Sequence, residues 1–331
     1  ETEKIANTFE ALDPGKLRRI VAESDEVLPI GALLGVMAPD SVSEAEIDSY
    51  ITEFQENYVP PEPDDEDLGD GYSFIEVEGY NIRYSKMGED SPNIILIHGF
   101  GGDADRWLFN QKPLSEKASV YTFDLPGHGQ STKEIKDPSL EGIAKVVVSF
   151  MDRLNISEAA LIGHSLGGAV AAKVSILAPS RVTDLTLVAA AGLGEEINDE
   201  YIKQFVIADN RKQMKASLQQ LVADKSLINR SLVNDMLQFK RTDGVPAALE
   251  AIARGFINEQ GLQSEVLTEE LKKLPFAPTI IWGDQDDIIP VSHADNLSKS
   301  DNVFILKNIG HLVQLEAASE FNKIILEKIE N

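Results

Sequence analysis

The eight residues Leu161-Ile162-Gly163-His164-Ser165-Leu166-Gly167-Gly168 constrain the fold more than any other stretch of the chain. The apolar run from Ala159 to Ile162 reads as a buried strand, and small residues at helical spacing follow it. Between them lies Gly-x-Ser-x-Gly, which asks for a strand, a sharp turn and a helix in immediate succession. Gly163 and Gly167 lack a Cβ, so strand and helix can approach closely at the bend. The turn strains the serine backbone and lifts the Ser165 hydroxyl clear of the sheet. The Leu166 amide opens the helix and is placed to donate to a developing oxyanion.

A serine hydroxyl needs a base, and the base needs an orienting acid. Pro278-Thr279-Ile280-Ile281-Trp282 reads as a further buried strand, and three acids, Asp284, Asp286 and Asp287, crowd its end. Val303-Phe304-Ile305-Leu306 is another strand, and its following loop carries His311 before a long amphipathic helix. A histidine there can reach across the sheet end, so His311 is the candidate base. A second oxyanion donor is expected after an earlier strand. Asn93-Ile94-Ile95-Leu96-Ile97 leads into His98-Gly99-Phe100-Gly101-Gly102, which makes the Phe100 amide the partner of Leu166. His164 is read as a packing residue that projects away from the nucleophile, His128 as a turn residue and His293 as surface. The five histidines show no zinc spacing and the chain has no cysteine, so no metal site is expected.

Together these pieces resemble the α/β-hydrolase family across about residues 73–331. Strand, His-Gly loop, strand, Asp124-Leu125-Pro126-Gly127-His128-Gly129 turn, elbow, insertion, acid and histidine follow in that family's order. The resemblance implies a mostly parallel sheet flanked by helices, with the site at the carboxyl strand ends. It selects Asp286 as the acid through the Gly-x-x-Asp-x-x-x-Pro pattern of Gly283 to Pro290, and it makes His98 structural. Continuous apolar strands alternate with helical stretches at 141–154, 169–177 and 317–329, as a sheet buried on both faces requires. Residues 195–272 read as four amphipathic helices, 199–209, 211–222, 226–240 and 245–257, and resemble a helical cap over the site.

The front of the chain is different. Residues 1–71 carry 4 basic and 19 acidic side chains, against a net charge of −25 for the whole chain. That balance argues against nucleic acid and anionic membrane surfaces as partners. Tyr58 to Asp67 is a Pro-rich acidic linker by composition. Ser41 to about Phe54 reads as a capped short helix. Gly15 to Val21 and Leu28 to Val36 read as short strands with turn residues between them. With Glu1-Thr2-Glu3-Lys4-Ile5 before them, they resemble the second half of a lipoyl domain, whose Glu-Thr-Asp-Lys-Ala tip carries lipoate on its lysine. Lys4 stands at that position, and Asp25 stands where a turn glycine is usual. The chain is thus expected to hold a partial lipoyl-like domain at 1–40, a short helix and linker at 41–72, and the hydrolase domain at 73–331. A core of half a lipoyl domain cannot close alone, so preceding residues are expected to be missing.

A lipoyl arm joined to an α/β hydrolase resembles the dihydrolipoamide acetyltransferase components of bacterial acetoin-cleaving complexes. That resemblance implies lipoate on Lys4, coenzyme A as acyl acceptor, and two partners: a thiamine-diphosphate-dependent acetoin dehydrogenase and a dihydrolipoamide dehydrogenase. A small acyl substrate and a cytoplasmic setting are expected, the latter consistent with the absence of cysteine. In the cap, Arg211, Lys212, Lys215, Lys240 and Arg241 are candidates to face an anionic cofactor. Two other readings stay open: a serine hydrolase of esters, thioesters or activated C–C bonds, and a non-catalytic subunit that presents lipoate.

Overall fold

The computed structural model describes residues 16–22, 33–58, 71–297 and 302–329. The chain divides into two units, 1–67 and 68–331.

In the first unit, β1 (Lys16–Ile20) pairs antiparallel with β2 (Gly35–Ala38), Lys16 opposite Ala38 and Ile20 opposite Gly35. The second strand therefore begins at the end of the predicted stretch, where Gly35 can sit tightly against the Arg19 carbonyl. Helix α1 (Glu44–Asn57) starts from a capping box. The Ser43 hydroxyl accepts the Glu46 N–H at 3.3 Å, and the Ser43 N–H donates to the Glu46 carboxylate at 2.8 Å. Lys4, Asp25 and the linker beyond Tyr58 lie outside the described residues.

The second unit is built on one eight-stranded sheet. Its strands are β3 (Tyr72–Val77), β4 (Tyr80–Met87), β5 (Asn93–Ile97), β6 (Ser119–Phe123), β7 (Ala159–His164), β8 (Val182–Val188), β9 (Thr279–Gly283) and β10 (Val303–Leu306), in the order β10-β9-β8-β7-β5-β6-β4-β3. Six of them, β5 to β10, run parallel, while β4 and β3 extend the β6 edge antiparallel. The β3–β4 hairpin turns on Glu78 and Gly79, at φ 53° and 75°, the sense of turn that matches strand twist. Five-residue runs such as Ser119–Phe123 and Thr279–Gly283 are buried throughout, which explains why they carry no charge and show no alternation with exposed residues.

Helices cover both faces. Along the chain they are α2 (Leu108–Leu114), α3 (Leu140–Arg153), α4 (Leu166–Leu177), α5 (Asp199–Ile207), α6 (Arg211–Leu218), α7 (Arg230–Arg241), α8 (Val245–Phe256), α9 (Thr268–Leu271), α10 (Val313–Glu316) and α11 (Ala318–Ile329). Ser139 caps α3 by accepting the Gly142 N–H at 3.0 Å. Its buried stripe of Ile143, Val147 and Phe150 then faces inward, and Phe150 stacks on Phe123 of β6 at 4.8 Å. The predicted mostly parallel sheet with flanking helices is what the chain forms. The insertion between β8 and β9 holds α5 to α9, close to the predicted helices, with one short 3₁₀ turn closing α6 and another preceding α7.

Strand β5 lies between β6 and β7, so the chain leaves it in one direction for β6 and enters β7 on its other side. Loops at the carboxyl ends part there and leave a crevice. The loop after β5 carries Gly99 to Gly102, and Ser165 directly follows β7.

Candidate active site

Ser165 stands between the last residue of β7 and the first of α4, with φ 55° and ψ −121°. A non-glycine residue held there stores roughly 1–3 kcal/mol of strain, and neighbouring backbone fixes it. Its N–H donates to the Val188 carbonyl at 3.0 Å, and its own carbonyl accepts from Gly168, Ala169 and Ala191. The two flanking glycines are dictated by contact. A Cβ on Gly163 would lie 2.2 Å from the Gly167 carbonyl oxygen, and one on Gly167 would lie 2.3 Å from that of Ile97.

His311 follows β10, and Asp286 follows β9. Their side chains meet with Nδ1 to Oδ2 at 2.8 Å, and both are almost wholly buried. The other Asp286 oxygen accepts the N–H groups of Ile288 and Ile289 at 2.8 and 3.0 Å, which fixes the carboxylate. The two neighbouring acids are otherwise engaged. Asp284 accepts the Asn308 N–H at 2.7 Å, and Asp287 faces Lys225 at 3.7 Å. Ser165 and His311 line the same cavity. Asp286 and His311 are thus joined by a hydrogen bond, and Ser165 shares a cavity with His311.

Phe100 lines this cavity also, beside Gly99, Gly101 and Gly102. The Leu166 N–H is the first of α4, a position without an intrahelical acceptor. The loop bearing Phe100 is held by His98, which is fully buried. Nε2 of His98 accepts the Leu125 N–H at 2.9 Å, so Nδ1 carries the proton and donates to the Gly99 carbonyl at 2.8 Å. Burial holds this imidazole down at about 4, so it stays neutral at neutral pH. His98 thereby ties the loop after β5 to the turn after β6. Asp124 does similar work. Its carboxylate is buried against Arg83 at 3.3 Å and accepts the N–H groups of Ala104 and Gln130 at 2.8 and 2.7 Å.

Of the other histidines, His128 keeps its reading as a turn residue, and His164 and His293 depart from theirs. His128 is buried in its turn, pushed down to about 3 by burial and then by His98, and does not line the cavity. His164 does line it, rather than projecting away. Its ring packs 4.7 Å from that of His311, and its Nε2 donates to the His311 carbonyl at 2.9 Å. Burial, then the neighbouring His311, holds His164 well below the usual range. The neutral ring positions the His311 backbone. His293, read as surface, is 3% exposed and bonds Glu196 at 2.8 Å, because the 3₁₀ turn Val291–Asn296 folds it inward.

The insertion roofs the cavity. Tyr201, Ile202 and Phe205 of α5, Leu218 of α6, Met236 of α7 and Phe256 of α8 form an apolar wall. Phe205 and Phe256 pack on Phe100 with ring centroids 5.9 and 5.7 Å away. Lys240 is not free for an anionic cofactor. It is buried and its ammonium donates to the carbonyls of Phe205, Val206 and Ala208, closing the end of α5. Arg211 bonds the Asn234 side chain at 2.8 Å. Sequence reading also missed two contributors. Glu316 accepts the N–H groups of Gly310 and Ala223, binding the His311 loop to the roof, and Arg106 lines the cavity. Neither falls in a spacing that marks chemistry. Among the described residues no cluster of three or more His, Cys, Asp or Glu is placed to hold a metal ion, and no helix is long and apolar enough to cross a membrane.

The α/β hydrolase fold family profile matches residues 92–318. The chain belongs to the α/β-hydrolase family. This hydrolase-fold protein is 41% identical over 98% of its length to a dihydrolipoyllysine-residue acetyltransferase component of an acetoin cleaving system from Cupriavidus necator, covering 86% of that protein. It is 42% identical over 98% to a protein of the same description from Pseudomonas putida, covering 87%. A monoacylglycerol lipase of Mus musculus is 28% identical over 78% of the chain and 82% of its own length. Among solved structures, a meta-cleavage product hydrolase from Pseudomonas fluorescens shares the fold, with a TM-score of 0.69 at 24% identity over 77% of this chain and 96% of its own.

Proposed function

We propose that this protein is an acyltransferase that moves an acetyl group from a lipoyl thioester to coenzyme A within an acetoin-cleaving complex. The observation that carries the reading is the 41% identity over 98% of the chain to a protein described as that component. The bonded Asp286–His311 pair in the chamber of Ser165 supports the chemistry.

Ser165 Oγ attacks the thioester carbonyl while its proton passes to Nε2 of His311. Asp286 holds the ring through Nδ1 and stabilises the imidazolium. The N–H groups of Phe100 and Leu166 receive the oxyanion. The C–S bond breaks, and the leaving thiolate takes the proton back from His311. An acetyl ester remains on Ser165. An incoming thiol then gives its proton to His311 and attacks that ester, and the serine leaves reprotonated. The apolar roof suits a hydrocarbon arm and keeps water from the ester.

In this reading residues 1–40 are lipoyl-like and 41–72 form the connecting helix and linker. Lys4 carries the lipoate, which supplies the acyl thioester. Residues 195–272 act as cap, a thiamine-diphosphate-dependent dehydrogenase and a dihydrolipoamide dehydrogenase are the partners, and the setting is the cytoplasm. The likeness to a monoacylglycerol lipase favours a second reading, ester or thioester hydrolysis at the same serine.

Purified protein given acetyl-dihydrolipoamide and coenzyme A separates these. Acetyl-coenzyme A should form and fall by about 10³-fold or more in Ser165→Ala. Free acetate released independently of coenzyme A supports hydrolysis instead. Unchanged transfer by Ser165→Ala overturns both. A lipoyl adduct on Lys4, read by mass spectrometry, tests the arm.

A further inference from the structure

Among the described residues that line the cavity at Ser165, one side chain carries a permanent charge. The lining is otherwise glycine, imidazole, the serine hydroxyl, the Tyr201 phenol and apolar side chains, with no carboxylate among them. The charge belongs to Arg106, in the 3₁₀ turn Ala104–Trp107 that follows the Phe100 loop. The side chain is half-buried and runs close against Gly102, where a Cβ would lie 3.2 Å from its Cγ. Among the described residues none forms an ion pair or hydrogen bond with its guanidinium. The neighbouring Asp105 is occupied elsewhere, accepting from Arg83 at 3.1 Å and from the Tyr72 hydroxyl at 2.5 Å. The Arg106 charge nevertheless reaches the site. After burial and nearer groups, it is among the causes that hold His98 and His164 down.

The half-buried Arg106 side chain lines the cavity with Phe100, Tyr201 and Phe205, and no carboxylate of that lining meets its charge. Structural arginines in this unit avoid that state: Arg83 takes two carboxylates and Arg181 an aspartate and two carbonyls. An arginine in the lining of the cavity that holds Ser165 matches an oxyanion pair of a ligand. Acetyl alone offers none.

We propose that Arg106 is a specificity-determining residue that receives an anionic oxygen group of the substrate. That group is either a carboxylate on the acyl chain or a phosphate of the thiol acceptor. The inference rests on acyl chemistry at Ser165, and it narrows the substrate to an anionic one.

The test compares anionic with neutral partners. For the acyl chain, kcat/KM is measured with mono-4-nitrophenyl succinate and with 4-nitrophenyl acetate. For the acceptor, transfer from 4-nitrophenyl acetate is measured to coenzyme A and to pantetheine, which lacks the phosphates. The wild-type protein should favour the anionic member of one pair. Arg106→Gln should cut that anionic-to-neutral ratio about 10- to 100-fold, as loss of a charge-assisted bidentate contact does. Arg106→Lys should restore part of it. The pair that responds identifies the source of the anion. Calorimetric affinities for succinate and for coenzyme A give a readout independent of turnover, and Arg106→Gln should weaken the responding one by a similar factor. Ratios and affinities that all change less than threefold overturn the proposal. Its failure differs from failure of the Ser165 reading, which shows as turnover persisting in Ser165→Ala.

Discussion

At residue 163 the carbonyl oxygen of Gly167 leaves no room for a methyl group, 2.2 Å from where a Cβ would sit. Both atoms belong to backbone, so relief requires α4 to move away from β7. Gly163→Ala should therefore destabilise by about 2–3 kcal/mol or more, at the upper end for overpacking. It should also lower turnover, since the displaced helix carries Leu166 and tilts Ser165. Urea unfolding checks the first effect, and ester hydrolysis checks the second. A variant with wild-type stability would mean that the elbow is less tightly closed than it stands. Gly163 is thus required by proximity alone, because its own φ is not among the positive ones.

At the scale of elements, the insertion and the loop that bears His311 are fastened to each other. The Leu221 carbonyl accepts the N–H groups of both His311 and Leu312, at 2.9 and 3.1 Å. Glu316, at the end of α10, accepts from Gly310 at 2.9 Å and from Ala223 at 2.8 Å. The segment that follows α6 therefore shares its hydrogen bonds with the loop that holds His311. Burial pushes the Glu316 carboxyl up, against the pull of those N–H groups. Glu316→Gln replaces one acceptor oxygen with a donor facing an N–H. We expect a loss of about 1–3 kcal/mol in stability, a several-fold drop in kcat/KM, and faster amide exchange at Gly310 and Ala223. Unchanged exchange at both amides would show that the strap does not depend on this carboxylate.

For the whole molecule, the buried imidazoles set the acid limb of stability. His98 and His128 titrate at about 4 and about 3 in the folded protein, and His164 well below its usual value, burial being the largest cause in each. In the unfolded chain all three titrate near 6.5. Above that pH they are neutral in both states and contribute no pH dependence. Below it the unfolded chain binds protons that the native state refuses, so stability falls as pH drops from about 6.5 towards 4. Each group adds a slope approaching about 1.4 kcal/mol per pH unit. Urea midpoints should decline steadily between pH 6.5 and 5, and a flat profile there would show that these rings accept protons inside the fold.

The elbow, the strand sequence and the helices of the insertion were legible because each is local. A buried strand, a turn glycine or an amphipathic helix declares itself within about a dozen residues. Reading Asp286 against its neighbours was harder, since three acids share one strand end and differ in which way the turn points them. The structure gives Asp286 to His311, Asp284 to Asn308 and Asp287 to Lys225. Where a partner is distant in sequence, composition carried no signal. His293 meets Glu196 across 97 positions, Glu316 meets Ala223 across 93, and Lys240 caps α5 across 35. An exposed-looking histidine, a helical glutamate and a basic cap residue each took a role set by what lay opposite. The sequence alone determined that a serine would stand on a strained bend between a parallel strand and a helix, because backbone sterics and short-range periodicity act along the chain. Only the tertiary structure decided which acid reaches His311, which lysine is walled in, and that Arg106 joins the lining of the Ser165 cavity. Those outcomes depend on through-space distances, which the order of residues leaves free until the sheet assembles.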